Sequence, residues 1–472
     1  MVFSSLLFLL YFLPVFLALY YWTPNRFKNA WVLIGSILFY SWGAPKFIAV
    51  ILLSTFIDFH FVRWMDASQS KRKRQLWLLG SLTINLGLLA YFKYSNFFIE
   101  NVNALLSPLG GEPIHWVKLV LPLGISFYTF ETVTYVVDVY RKEHKPLNNF
   151  WDYQLYIIYF PKLIAGPIVR FIDFADQISD RFKGDSWDQR LRGFQRFCIG
   201  LGKKVLIANS VGSYADEIMA VAPEELTPSI AWIGILCYTF QIYFDFSGYS
   251  DMALGLGRMM GFRLPENFED PYTSASITEF WRRWHITLGA WMKNYLYIPL
   301  GGNQSSPKWK VYRNLWIVFL FSGLWHGASW NFVLWGAYHG AFLILERWFL
   351  LKWYQKLGSI LPRIITFTAV VFGWIFFRIE TFDGAIEYVK ALFVSDGHYV
   401  FIKGSHLYFY LGIAALFSFF VLIPGGQRLQ NWLYKAEGKF SALSFALSLA
   451  LLWVSVMSLA QNSFNPFIYF RF

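Results

Sequence analysis

Charge is what this chain has least of. Asp, Glu, Lys and Arg make up 15% of its 472 residues, against about a quarter in a soluble domain. Cysteine is scarcer still. Cys198 and Cys237 each sit inside an apolar run, so they build neither a disulfide framework nor a metal-ligand spacing and read as packing residues. No metal site is expected. Nucleotide-binding and hydrolase signatures are missing as well: there is no Walker loop and no G-x-S-x-G elbow, and Gly255-Leu-Gly257 lacks the preceding strand and third glycine of a dinucleotide fold. Residues 1–21 lack the basic start and the cleavage site of a removable signal, so this stretch is expected to persist as the first span despite Pro14. No repeat, low-complexity tract or long linker divides the chain, which argues for one integral domain over residues 1–472.

What is present is apolar. Hydrophobic residues reach 56% and aromatic ones 21%, with a mean hydropathy of +0.40. Crossing a bilayer takes roughly 20 apolar residues. Runs of that kind recur from residue 3 to residue 460, among them 3–21, 117–138, 151–168, 195–213 and 229–260, several of them short or interrupted. The expected fold is all-α: a polytopic integral membrane protein with about 11 transmembrane helices, plus re-entrant or half-buried helices, around a central polar funnel or tunnel. The net charge of +12 does not argue for nucleic acid, because the basic residues sit in short loops between apolar runs. With the N-terminus outside the cell membrane, Arg26 and Lys28, the run from Lys71 to Arg74, and Arg141, Lys142 and Lys145 all fall in the cytoplasm. The loop 96–114, free of lysine and arginine, then faces out. Residues 173–192 read as a cytoplasmic amphipathic segment, 301–310 and 396–405 as polar breaks, and 462–472 as an aromatic tail suited to the interface.

Residues 276–340 organise the rest. Ser276 and Glu279 form an S-x-x-E capping box, which predicts a helix from Ile277 with Trp281 and His285 on one face. Glu279 and Arg283 form an i,i+4 pair in the favourable order, and Pro299 with Gly301-Gly302 should stop the helix. Further on, Ser322-Gly-Leu-Trp325-His326-Gly327-Ala-Ser-Trp-Asn331 leads to Tyr338-His339-Gly340. Polar groups in such surroundings are expensive and call for a reason. His326, flanked by Gly323 and Gly327, reads as a general base in a half-dry cavity, the alternative being a core histidine bonded to a backbone carbonyl. His339 lies 13 residues further on, roughly 220° around an ideal helix, and is expected to face elsewhere.

These motifs carry a resemblance. Trp281-Arg-Arg-Trp-His285, Tyr295-Leu-Tyr-Ile-Pro-Leu-Gly-Gly-Asn303 and Gly323-Leu-Trp-His326-Gly resemble the signature of the membrane-bound O-acyltransferase (MBOAT) family. The opening Met1-Val-Phe-Ser-Ser, Leu163-Ile-Ala-Gly-Pro167 and Tyr243-Phe-Asp-Phe-Ser-Gly-Tyr-Ser-Asp251 extend the resemblance to nearly the whole chain. It is strongest to the bacterial polysaccharide branch typified by alginate O-acetyltransferases, and more distant to teichoic acid D-alanyltransferases. The resemblance implies a catalytic core at about 120–345, with His326 and His285 as catalytic residues. An acyl group, acetyl above all, would pass from a cytoplasmic thioester, acetyl-CoA or an acylated carrier protein, to a hydroxyl on the far side of the bacterial inner membrane. It also implies an SGNH-type partner that completes O-acetylation of an exported polysaccharide, and no tightly bound cofactor. Peptidoglycan O-acetylation and D-alanyl transfer to teichoic acid fit the same motifs.

Trp281, Arg282, Arg283, Trp284, Asp245, Tyr249, Ser250, Asp251, Trp325, Asn331 and Tyr338 are expected to line the substrate tunnel. Arg282 and Arg283 suit the phosphates of coenzyme A or the acidic surface of a carrier, or else simply anchor the chain at the cytoplasmic face. Asp245 and Asp251 would be polar wall residues, or else structural partners of Arg258 or Arg263. From other classes, a transporter would show an inverted repeat with interrupted helices at matching positions, which this sequence does not, and a silent scaffold stays open.

Overall fold

Every regular element among the described residues is helical. The computed structural model describes residues 2–304, 306–394, 397–398, 406–434, 441–462 and 464–468. Most of the expected polar break at 396–405, and residues 469–472 of the aromatic tail, lie outside the described residues. Five helices are long and apolar enough to cross a membrane: Ile48–Ala67, Lys71–Leu109, Pro228–Met259, Leu361–Arg378 and Ala442–Gln461. A bent pair, His406–Leu422 with Gly426–Tyr434, turns by 99° and makes a sixth if read as one broken span. Other apolar runs are shorter or broken. The first holds the helix Phe8–Trp22, and residues 117–138 become helical only at Ile125, after Gly124 in a left-handed turn. The expected outer loop 96–114 is largely helix instead: Ser95–Leu106 continues the preceding span, with its apolar residues at helical spacing.

The chain divides into two compact units. In the first, residues 7–185 with 261–264, the polar residues of apolar helices find partners. Asp58, in the middle of Ile48–Ala67, accepts from Ser81, from Asn85 at 3.1 Å and from Tyr153 at 2.9 Å. Lys162 pairs with Glu131, both buried. The 173–192 segment opens as the helix Phe171–Asp180, which buries Phe171, Phe174, Ala175 and Ile178 on one side, as amphipathic patterning requires.

The second unit, residues 3–6, 186–260 and 265–472, is built around Pro228–Met259. Of this helix's most apolar stretch 72% is buried, against 17% for Ala442–Gln461; the first is an axis, the second a largely exposed strut. The axis owes its neighbour to glycine. Gly193 and Gly200 on Trp187–Gly202 face Gly255 and Gly248 on Pro228–Met259 in antiparallel register. A Cβ on Gly200 would lie 2.5 Å from the Gly248 carbonyl oxygen, and one on Gly193 2.7 Å from that of Gly255. Such backbone contact is how helices gain packing energy where lipid supplies no hydrophobic drive. Gly200→Leu should therefore lower the melting temperature of the purified protein by an amount matching about 1–3 kcal/mol or more of overpacking. Gly412→Ala, at a glycine with open space around it, should not. Equal melting of the two variants would remove the seam from the account.

Candidate functional site

The helix predicted from Ile277 does start there. Ser276 Oγ accepts from the Glu279 N–H at 3.0 Å, and Glu279 reaches back to the Ala275 N–H at 2.8 Å. The Glu279–Arg283 pair forms at 2.7 Å. It ends sooner than expected, however, at Arg283. His285 takes a left-handed conformation (φ 46°, ψ 52°) and a new helix, Ile286–Trp291, begins after it. Trp281 and His285 therefore share no helix face. The break is held by the loop before it: Glu269 N–H donates to Arg283 O and Ile286 N–H to Asn267 O, both at 2.9 Å. Non-glycine residues in this region store strain of about 1–3 kcal/mol and cluster at functional sites.

His285 is 1% exposed. Its Nδ1 lies 3.1 Å from Asn267 Oδ1, and its Nε2 is buried with no hydrogen-bond partner among the described residues. A buried polar atom left unmet costs about 1–3 kcal/mol. His285 is outside the candidate spans, and burial pushes its pKa down to about 3, so the ring is neutral at physiological pH.

His326 arrives from elsewhere. It is the last residue of Trp309–His326, which folds back through a short turn onto Trp330–Leu345. The hairpin closes because Gly323 lets the helices touch: a Cβ there would lie 2.1 Å from Phe332 O. The His326 ring is packed edge-on against Trp325 (4.9 Å between centroids), Trp335 (5.0 Å) and Phe377 (5.2 Å). Trp325 also meets His285, at 6.2 Å, so one indole lies against both imidazoles.

The turn after His326 breaks the helix on which its angular offset from His339 was reckoned. His339 consequently does not face away: it packs on Trp335 at 5.1 Å and Trp281 at 5.0 Å, so Trp335 separates two histidines. Trp284 is buried against Trp374 at 4.9 Å. Arg282 is exposed, and Arg283 is engaged with Glu279 and Thr273. Asn331 and Tyr338 fasten their helix to the neighbouring one, donating to Ile379 O at 2.5 Å and Ala369 O at 2.8 Å.

The acidic motif on the axis helix forms a second cluster. Asp251 meets Arg196 at 2.6 Å and Lys203 at 2.7 Å, and Arg196 also grips Glu266. Asp245 pairs with Lys204 at 2.7 Å. Neither Arg258 nor Arg263 is the partner; Arg196 comes from the helix across the glycine seam, and Lys203 and Lys204 from the segment that continues it. Asp245 also accepts from the Ile468 N–H, and Tyr249 packs on Phe3 and Phe467, so this face holds the chain's two ends. Ser250 joins the clusters by accepting from Asn267 Nδ2 at 3.1 Å. Lys204 reaches Asn209 at 2.7 Å across a widened turn at Lys203–Ala208. Asn209 in turn lines a hollow of about 300 Å³ with Ser213, Tyr214, Tyr410 and Asn462.

Comparison with known proteins then decides the family. The membrane-bound O-acyltransferase family matches residues 37–379. The chain belongs to that family. It is 39% identical to a probable alginate O-acetylase of Pseudomonas putida over 100% of both chains. It is 36% identical to a peptidoglycan O-acetyltransferase of Helicobacter pylori over 84% of this chain and 80% of that one. A teichoic acid D-alanyltransferase of Bacillus subtilis is more distant, 28% identical over 60% of this chain and 75% of its own. This is an O-acyltransferase, then, and a multi-pass membrane protein, which sets aside the transporter and the silent scaffold. The family's reaction requires an acyl donor as co-substrate.

Asn267, Trp335, Arg196, Lys203 and Lys204 escaped the sequence reading. The signal for the last three was present: glycines seven apart on two segments, with carboxylates on one and cations on the other. The buried Lys204–Asp245 pair has side chains 3% and 2% exposed. Breaking one side of such a pair costs about 3–5 kcal/mol. Lys204→Met should thus lower the acyltransferase's melting temperature sharply, and adding Asp245→Leu should recover most of the loss. A single variant as stable as the parent would show that the pair does not support the fold.

Proposed function

We propose that this acyltransferase moves an acetyl group from a cytoplasmic thioester, across the inner membrane, to a hydroxyl in the O-acetylation of an exported, alginate-like polysaccharide. The observation behind this reading is the meeting of His326 and His285 on Trp325, inside a segment matched by the family. His326 is the general base. As the acceptor oxygen bonds to the thioester carbonyl carbon, the imidazole takes the hydroxyl proton; the C–S bond breaks and the thiol leaves with a proton. Close aromatic packing excludes water that would hydrolyse the donor. His285 orients the substrate. Trp281, Trp284, Trp325, Ser250, Asn331 and Tyr338 shape the enclosure, and Asp245, Tyr249 and Asp251 form its polar wall. The polar line from Asp245 through Lys204 and Asn209 to the 300 Å³ hollow supports a route from that wall to solvent. Exposed Arg282, with Arg283 beside it, suits the phosphates of acetyl-CoA or the acidic face of a carrier protein.

The wider proposal is one integral domain over residues 1–472 with its catalytic core at about 120–345, the broken helices completing about 11 crossings around a funnel. The N-terminus lies outside the cytoplasmic membrane. An SGNH-type transferase is the partner that delivers acetyl to the polymer. Peptidoglycan is the second acceptor reading, favoured by the Helicobacter pylori relative.

His326→Ala should lower acetylation by about 10²–10⁴-fold, with the protein at its usual level in the membrane; full acetylation would refute its role. Mass spectrometry of exopolysaccharide and cell wall, with and without the gene, separates the two acceptors. Gene-dependent acetyl groups on the wall alone would overturn the alginate-like reading.

A further inference from the structure

One oxygen, Oδ1 of Asn267, meets three groups: the Thr287 N–H at 3.2 Å, the Thr287 hydroxyl at 2.9 Å and His285 Nδ1 at 3.1 Å. A backbone N–H can only donate, so the amide atom facing it has to be the oxygen. Nδ2, turned the other way, donates to Ser250 Oγ at 3.1 Å, a contact the same orientation satisfies. An oxygen acceptor then demands a donor at His285 Nδ1. The neutral ring accordingly carries its proton on Nδ1 and a lone pair on Nε2, the buried nitrogen that no described residue meets.

We propose that Asn267 is a positioning residue of acyl transfer: it locks His285 in the Nδ1–H tautomer, so that Nε2 serves the site as a hydrogen-bond acceptor. Its ligand is a substrate O–H or N–H other than the proton His326 removes, such as a second hydroxyl of the acceptor or an amide of the donor's thioester arm. It is not a donor to the oxyanion of the tetrahedral intermediate. With the lock gone, the ring is free to turn Nε2–H into the site, placing a donor where an acceptor is needed. The role in transfer rests on placing His285 in the site; the tautomer does not.

The test uses full-length protein, labelled with ¹⁵N-histidine, in lipid bilayers. Solid-state NMR reads which ring nitrogen is protonated, with His285→Gln assigning the signal. Wild type should show protonated Nδ1 and bare Nε2. Asn267→Leu should lose that pattern and lower kcat by at least about tenfold, as a wrong imidazole tautomer does in a catalytic triad. Asn267→Asp keeps an acceptor oxygen and should restore the tautomer. A wild-type His285 protonated on Nε2, or an Asn267→Leu spectrum identical to wild type, overturns the proposal. If the tautomer shifts and turnover does not, the lock stands and the place of His285 in transfer falls.

Discussion

Two helices lie backbone to backbone at the centre of the second unit, and much else follows from that closeness. Gly193 and Gly200 on one, Gly248 and Gly255 on the other, leave no side chain between the strands of the seam. Arg196 on the first helix, and Lys203 and Lys204 just past its end, then have only a short distance to cover before meeting Asp245 and Asp251 on the second. Charges that would be costly in an apolar interior are thereby matched across the seam rather than along one helix. Ser250, between the two carboxylates in sequence, extends the polar line to Asn267 and so to His285. This amide ties the site to the seam, and Phe246 of the axis helix adds a ring contact to His285 at 4.7 Å.

The second constraint is aromatic. With 21% of residues Phe, Trp or Tyr, the chain has enough large flat side chains to wall a cavity with little polar surface. Trp281, Trp325 and Trp335 each touch one or two of the three histidines edge-on. A ring surrounded in this way is held in a fixed orientation, which suits a residue that has to meet a substrate at one set angle.

How much of this was legible beforehand depends on the range of the interaction. The membrane class, the capping box at Ser276, the Glu279–Arg283 pair and the burial of both cysteines are properties of composition or of neighbours within one turn, and they read correctly. The left-handed step at His285 did not. Nothing local forbids the helix from continuing past Arg283; the loop carrying Asn267 stops it, and that loop contact is a tertiary matter. For Asp245 and Asp251 the alternative to a polar wall names nearby partners, Arg258 or Arg263, whereas the cations they meet lie some 50 residues upstream for Asp251 and some 40 for Asp245. The offset assigned to His339 assumed an unbroken helix, and the turn at Gly327 removed the assumption. The absence of lysine and arginine from 96–114 bears on which side of a membrane the segment faces, not on whether residues 96–106 are helical.

The final helix, Ala442–Gln461, leans on its own unit along a narrow strip, where Leu451 fits beside Gly202. The remainder is exposed, and in a bilayer that face is open to acyl chains, which would act as a missing neighbour in its packing. Extraction into detergent replaces that neighbour with a looser one, and this strut is the element whose seating then depends most on the choice of surfactant. Membrane thickness and fluidity thus belong among the conditions under which the enzyme's stability is defined.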